Sequence, residues 1–337
     1  MISMKDIAAI CHVSVATVSK ALNNHTDISE ETKKMIQQKA NELGYFPNPA
    51  ARALKTHSTY NIGVLFYDEA NSGLTHEYFS SVLEAVKNTA ERRGYDVTFI
   101  SHFVGGRRMT YCEHSRYRNV DGVVIVCTDF RDPEVAELIH SDIPVVTIDH
   151  TFDSCSAIMS DNVKGMSDLV HHIYEKGHRR VGFIHGAASS VTDYRLASFY
   201  RTASQLGLSI PDDYVVECAY HDTEMANRRT RELMKLKNPP TCILYPDDIT
   251  AISGINELRQ MGYRVPEDVS VVGFDGITIG QSLDPKLTTL RQDAQTIGSS
   301  AADQLINQIE HPKTTIKQIV TVSGEVLAGA SLADLRK

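Results

Sequence analysis

The segment from Met4 to Asn23 constrains the fold most, because its pattern predicts two short helices joined by a tight corner. The first helix is predicted at about Lys5–Cys11, and the second at about Val15–Leu22. Between them Ser14 occupies an N-cap position, where its hydroxyl can accept a backbone N–H. This arrangement is typical of a helix-turn-helix motif, whose second helix enters the major groove of DNA. A helical hairpin that binds no nucleic acid is the alternative.

The second predicted helix separates apolar residues from small and polar ones. Val18, Ala21 and Leu22 are predicted to be buried. The candidates for DNA contact in the head are Lys5, Ser14, Val15, Ala16, Thr17, Ser19, Lys20 and Asn23. Val15 and Ala16 are suited to base edges such as a thymine methyl, whereas the polar side chains would fix the register on the backbone.

A third predicted helix completes a small domain at residues 1–46. Ser29 is its predicted N-cap, and Gly44 is a suitable stop signal. The apolar stripe expected to face the other two helices consists of Met35, Ile36, Ala40 and Leu43.

These residues resemble the N-terminal head of the lactose/galactose-repressor (LacI/GalR) family of bacterial transcription regulators. The resemblance rests on Lys-Asp-Ile-Ala at residues 5–8 and on Val-Ser-Val-Ala-Thr-Val-Ser-Lys-Ala-Leu-Asn at residues 13–23. One departure is His12, which stands where the family has Gly or Asn. If this position has positive φ, His tolerates it better than most residues do.

Residues 47–60 are predicted to form a hinge helix and linker. Pro49 precedes an Ala-Ala-Arg-Ala-Leu run of high helix propensity, but so short a helix is unstable alone in water. The resemblance implies that it orders against its dimer mate in the DNA minor groove, with Leu54 as an apolar wedge and Arg52 and Lys55 near the phosphates or the groove floor. An ordinary interdomain linker is the alternative.

From Asn61 onward, near-continuous apolar strands alternate with amphipathic helices, which is typical of parallel sheets covered on both faces. We therefore predict an α/β core of two doubly wound lobes behind an all-α helix-turn-helix head. The core resembles the periplasmic-binding-protein type I fold. Residues 61–161 with about 292–322 would form the N-terminal lobe, and residues 162–291 with about 323–337 the C-terminal lobe. Residues 105–118 show no clear periodicity, although the family has a regular helix there.

The motifs of the chain argue against catalysis. It contains no HExxH, nucleophile elbow or P-loop, so we predict neither an enzyme nor a cofactor. Histidines such as His76, His114 and His150 lack metal-ligand spacing and are expected to be solvated surface residues. The six cysteines lack CxxC spacing, and neither a signal peptide nor a membrane span is present, which favours a cytoplasmic location.

A ligand site is expected between the lobes, beyond the carboxyl ends of the strands. The resemblance implies that Asp149, Arg195 and Asp275 contact an effector there, and that Asp247 replaces an Asn common in relatives. Tyr78, Phe79 and Tyr220 would supply aromatic walls for a sugar. Core packing of the aromatics, and an ion pair involving Arg195 or Asp275, are the alternatives.

We therefore predict a homodimeric transcription regulator, a repressor, that binds a pseudo-palindromic operator and responds to a sugar-like effector. The net charge is −8, but residues 1–58 carry more basic than acidic residues, which confines the attraction for phosphate to one end. The residues after Ser331 lack leucine heptads, which favours a dimer. The alternatives are control by a phosphocarrier protein or phosphosugar and, more remotely, a sugar-binding protein without a regulatory role.

Overall fold

The computed structural model describes residues 2–22, 25–45, 58–68 and 73–336, and the chain divides into two compact units, Met1–Thr59 and Tyr60–Lys337. Most of the predicted hinge segment lies outside the described residues. So do four of the predicted DNA contacts, namely Asn23, Arg52, Leu54 and Lys55.

The described residues of the head form three helices, α1 (Met4–Ile10), α2 (Val15–Leu22) and α3 (Glu30–Glu42). Their shared core consists of Ile7, Ala8, Val18, Ala21, Ile36 and Ala40. The prediction that Met35 belongs to this core is wrong, because its side chain is 46% exposed. Lys33 is buried instead, since residues 33, 36 and 40 share one helix face. The Lys33 ammonium group reaches Glu30 from the edge of the core.

The N-terminal lobe is built on a sheet of six described strands in the order β13-β7-β6-β5-β1-β2, all of them parallel. The strands are β1 (Asn61–Phe66), β2 (Asp96–Ile100), β5 (Gly122–Cys127), β6 (Val145–Ile148), β7 (Ser156–Ser160) and β13 (Ile319–Val322). Helices α4 (Glu77–Arg92) and α12 (Ala294–Glu310) cover one face, and α5 (Tyr111–Arg118) and α6 (Pro133–Ile139) cover the other.

The segment at 105–118 is more regular than its sequence indicates. Strands β3 (Phe103–Val104) and β4 (Arg107–Arg108) form a small hairpin whose turn has two glycines at positive φ. Helix α5 follows, and Thr110 and Glu113 cap it reciprocally. The capping box, rather than an apolar stripe, marks where this helix starts.

The C-terminal lobe has a parallel sheet in the order β11-β10-β8-β9. The strands are β8 (Val181–His185), β9 (Val215–Glu217), β10 (Cys242–Leu244) and β11 (Ser270–Val272). Helices α7 (Asn162–Glu175) and α8 (Ser190–Gln205) pack on one face, and α9 (Thr223–Met234) and α10 (Asp248–Gln260) on the other. A short helix, α11 (Thr278–Gln281), follows β11.

The chain passes between the lobes more than once, through segments that include an antiparallel pair, β12 (Thr289–Arg291) with β14 (Glu325–Leu327). Asp161 stands at the first of these passages. It caps α7 by accepting the Lys164 N–H at 3.0 Å, and it accepts the Ser323 hydroxyl at 3.4 Å. In the described part of the chain, no helix is both long enough and apolar enough to cross a membrane.

Candidate functional sites

The corner between α1 and α2 is set by two local features. His12 lies at φ +54°, so the positive-φ position that the family fills with Gly or Asn is here filled by His. Ser14 caps α2, because its Oγ accepts the Thr17 N–H at 3.0 Å, and the two hydroxyls lie 2.8 Å apart. The second helix therefore begins at Val15 with a defined direction.

The start of α2 exposes much of the predicted DNA-binding set. Ser14, Val15, Ala16 and Lys20 are exposed, as is Lys5 on α1, whereas Thr17 and Ser19 are half-buried. The exposed residues of α2 lie opposite its fully buried side chains. Because one side of α2 is apolar and the other faces solvent, α2 can pack against the other helices of the head while its exposed side faces a DNA groove.

Lys20 forms an ion pair with Asp27, and both side chains are about half-exposed. The hydrogen bond from Lys20 lowers the pKa of the Asp27 carboxyl. Since solvent reaches both groups, a DNA phosphate has access to the same ammonium group.

In the larger unit, polar side chains from both lobes gather beyond the carboxyl ends of the strands. In chain order, they follow β1 (His76 and Tyr78), β6 (Asp149), β8 (Arg195), β9 (Tyr220 and His221), β10 (Asp247) and β11 (Asp275). This is where parallel sheets bind ligands. The lobes also touch each other, because Glu77 accepts the backbone N–H and the hydroxyl of Thr278, at 2.7 and 2.6 Å.

On the N-terminal lobe, Asp149 is held by its neighbours. Its carboxylate accepts the Ser160 N–H at 2.6 Å and the Tyr78 hydroxyl at 3.1 Å, and burial raises its pKa. Tyr78 is itself buried in the lobe core, and Phe79 packs edge-on against Phe66. Both rings therefore pack largely in the core, which was the alternative to effector binding. Tyr78 also borders an open cavity.

Arg195 is buried in the C-terminal lobe. Its Nε donates to Asn162 at 2.8 Å, its Nη1 donates to the Pro246 carbonyl at 3.0 Å, and its guanidinium lies 3.5 Å above the Phe274 ring. Across the described ranges, no salt bridge joins Arg195 to Asp275. The guanidinium is thus held by neutral partners and an aromatic face.

Tyr220 fills the space beside Arg195. Its hydroxyl lies 2.9 Å from that of Thr192, and its ring lies so close to Gly186 that a Cβ there would come within 2.1 Å of the ring. The region around Tyr220 is therefore closed. The open space, about 680 Å³, lies beside Tyr78, Asp275 and Arg291.

Four carboxylates lie around the cleft: Asp275 is within electrostatic range of Asp149, Asp247 and Asp248, and Asp247 is within range of Asp248. Both oxygens of Asp247 accept backbone N–H groups, from Thr250 at 2.8 Å and from His221 at 3.0 Å. Asp275 accepts from Gln292 at 2.7 Å, and burial raises its pKa to about 7. Asp248, which is not among the predicted effector contacts, accepts the Ile277 N–H and the Thr289 hydroxyl.

The expectation that His76 and His114 are solvated is wrong, because both are buried. His114 lies within the N-terminal lobe, where its Nδ1 lies 2.8 Å from the Ser101 carbonyl oxygen. The His76 ring lies 4.0 Å from the His221 ring, its Nδ1 has no hydrogen-bond partner, and burial lowers its pKa to about 4. One ligand atom from each of His76, His221 and Asp275 lies within 4.8 Å of the other two. These residues come from three distant loops, so no local spacing marks them.

Comparison with known proteins adds two family matches. Residues 3–48 match the model described as bacterial regulatory proteins, lacI family, and residues 170–332 match the periplasmic binding protein-like domain. The probable HTH-type transcriptional repressor ExuR of Bacillus subtilis (strain 168) is 30% identical over 324 residues, 95% of this chain and 95% of that protein. The HTH-type transcriptional repressor PurR of Aliivibrio salmonicida (strain LFI1238) is 28% identical over 341 residues, 99% of this chain and 100% of that protein.

Two solved structures share the fold over nearly the whole chain. A lac repressor dimer bound to operator and the anti-inducer ONPF has a TM-score of 0.82 at 21% identity, covering 98% of this chain and 99% of that chain. A complex of the transcriptional regulator CelR with cellobiose has a TM-score of 0.72 at 23% identity, covering 98% of this chain and 100% of that chain. All four of these proteins are named as repressors or transcriptional regulators.

Proposed function

The chain belongs to the lacI family of bacterial regulatory proteins and is a DNA-binding transcriptional regulator, and on this premise we propose that it represses transcription under the control of a small molecule bound between its lobes. The observation that carries the proposal is the geometry of α2. Ser14 starts this helix, and Val15, Ala16 and Lys20 face solvent opposite the buried side chains. Such a helix can read base edges with its first turn and contact phosphate with its last.

We propose a sugar-class effector. A polyhydroxylated molecule needs several donors and acceptors at fixed positions and an apolar face for its C–H surface. Arg195, Asp149 and Asp275 would supply the polar groups, and Tyr78 offers aromatic surface at the edge of the open cavity. Tyr220 would contact the effector only after its ring moves away from Gly186. A regulator of the same fold was solved with cellobiose, which supports this class. Asp247 has both oxygens committed to backbone N–H groups and would act by orienting the His221 loop.

The regulator would act as a homodimer on a pseudo-palindromic operator in the cytoplasm, where bacterial DNA is found. Two heads related by a two-fold axis match the symmetry of two half-sites. The lac repressor dimer bound to operator supports this state. Arg52, Leu54 and Lys55, which lie outside the described residues, remain predicted contacts of the hinge segment. A solution mass of twice the 37.4 kDa of the chain would support the dimer, and the mass of a single chain would refute it.

Control would act through the contacts that join the lobes. Glu77 binds Thr278 across the cleft, and the Ser190 hydroxyl donates to the Asp149 carbonyl at 3.1 Å. An effector with unequal affinity for the closed and open arrangements shifts the population between them. That shift would then change how the dimer presents its two heads.

The DNA-binding part of the proposal can be tested with one matched pair of variants. An operator is first selected from random DNA duplexes with the full-length protein. Lys20→Ala should weaken binding to it and reduce the slope of log K against log salt by about 1, the loss of one phosphate contact. Lys34→Ala removes the same charge from an exposed position on α3 and should leave both unchanged. Equal losses in the two variants would rule out α2 as the recognition helix.

The effector part can be tested by a thermal-shift screen of mono- and oligosaccharides, with purines and nucleosides as controls. A ligand that binds only the folded protein stabilises it by about 2.7 kcal/mol at 100 times its Kd. A sugar that raises the Tm and changes operator affinity would support the proposal. If no sugar raises the Tm, the sugar class is rejected, and control by a phosphocarrier protein or phosphosugar is the remaining hypothesis.

A further inference from the structure

We propose that His76, His221 and Asp275 form a binding site for a divalent transition-metal ion that bridges the two lobes. The site shares its cleft with the proposed effector site, but it does not depend on the effector being a sugar. The sequence predicted no metal site because these residues lie far apart in the chain. The fold brings one ligand atom from each to within 4.8 Å of the other two.

The positions of the three residues support a bridging ion. His76 immediately precedes α4 of the N-terminal lobe, whereas His221 follows β9 and Asp275 follows β11 of the C-terminal lobe. With metal–ligand bonds of about 2.0–2.2 Å, tetrahedral ligand atoms are roughly 3.4 Å apart. Movements of about 1 Å would therefore complete the site, and these movements would draw the lobes together.

His76 gives a second and independent indication of a ligand. The residue is 8% exposed, and its buried Nδ1 has no hydrogen-bond partner in the described structure. A buried polar atom without a partner costs free energy, and such atoms are rare in folded proteins. An ion bound by this imidazole would remove that cost.

The charge around the cluster also favours a cation. Asp247 and Asp149 both act electrostatically on Asp275, and Arg195 opposes them as a cation. Gln292 donates to Oδ1 of Asp275, which leaves Oδ2 for the ion. Two imidazoles and one carboxylate suit Zn²⁺, Co²⁺ and Ni²⁺ better than Mg²⁺, which prefers oxygen ligands and near-octahedral geometry. Three protein ligands leave a coordination position open for a hydroxyl or carboxylate of a bound effector.

The test uses the full-length protein after dialysis against a chelator, with Zn²⁺ titrated calorimetrically and Co²⁺ followed by its visible absorption. We expect one tight Zn²⁺ site per chain and a Co²⁺ spectrum of low coordination number without thiolate charge transfer, which would exclude the cysteines as ligands. His76→Gln and His221→Gln should each lower Zn²⁺ affinity at least tenfold. The matched control is His150→Gln, since His150 lies in the same cleft beside Ser190 but outside the cluster, and it should retain the parental affinity.

Several outcomes would overturn the proposal. These are the absence of saturable Zn²⁺ or Co²⁺ binding, equal binding of Mg²⁺, or equal affinity losses in His221→Gln and His150→Gln. Thermal melts in chelator establish that each variant is folded, and Asp275→Asn replaces any histidine variant that is not. Running the sugar screen with and without chelator separates the two hypotheses. A sugar response in chelator, combined with no ion binding, would reject the metal site and leave the proposed function intact.

Discussion

Replacing Ile36 by Ala is expected to unfold the DNA-binding head while the larger unit stays folded. The Ile36 side chain is fully buried in the cluster that joins the three helices. At about 0.8 kcal/mol per buried methylene, losing the atoms beyond Cβ costs roughly 2.5 kcal/mol. The remaining cavity raises the cost to about 3–4 kcal/mol. A domain of this size seldom has more than about 3–5 kcal/mol of stability, so the substitution would remove most or all of the stability of the head.

Two measurements follow the head and the larger unit separately. Fluorescence anisotropy with a selected operator measures DNA binding by the head. Amide hydrogen exchange over residues 2–45 shows directly whether its helices are protected. The thermal transition of the unit Tyr60–Lys337 should keep its parental midpoint. Met35→Ala is the control, because Met35 is adjacent on the same helix but exposed, and Ala is a strong helix former.

The two variants give opposite results if the core is described correctly. Operator binding and amide protection should be lost in Ile36→Ala and retained in Met35→Ala. Parental operator affinity in Ile36→Ala, with its head amides still protected, would refute the energetic reasoning. An equal loss in Met35→Ala would show that the wrong face of α3 had been identified as the core.

Three further predictions concern the larger unit. His178 is buried, and burial lowers its pKa below the ordinary value of 6.5. Just below pH 6.5, His178 is therefore protonated more fully in the unfolded chain than in the folded one. The free energy of unfolding, measured by urea titration, should therefore fall as the pH drops from 6.5 toward the folded-state pKa. The fall should be less steep in His178→Gln. Gly298→Ala should destabilise by about 1–3 kcal/mol, because its Cβ would lie 2.3 Å from the Val82 carbonyl oxygen; parental stability would contradict this close packing. Arg195→Lys should weaken the effector response without changing operator affinity in effector-free protein, because Lys lacks the planar fork that contacts Asn162. An unchanged effector dose–response would remove Arg195 from the site.

Local signals in the sequence predicted much of the head. The bounds of α2 and the cap at Ser14 agree with the structure because both depend on residues within one turn. The error at Met35 has a geometric cause, since one position along a helix turns the side chain by about 100°, enough to exchange a core position for an exposed one.

Other elements were missed because their signals are weak in the chain. Strand β7 (Ser156–Ser160) is short and contains two serines, yet it is fully buried between β6 and β13. Helix α5 has almost no apolar stripe and starts at a capping box instead. The positions of β7 and α5 in the fold depend on partners that are distant in sequence, and periodicity within a short window of sequence does not detect such partners.

The sequence by itself determined the alternation of strands and helices in the core, the start of α2 and the family, because these follow from periodicity, caps and short motifs. Only the tertiary structure decided what the cleft contains. It packed Tyr220 against Gly186, committed the Asp247 oxygens to backbone N–H groups, and brought His76 beside His221. The physical reason is that loops at the carboxyl ends of separate strands meet only when the sheets and lobes assemble. Contacts between such loops depend on topology rather than on neighbours in the chain.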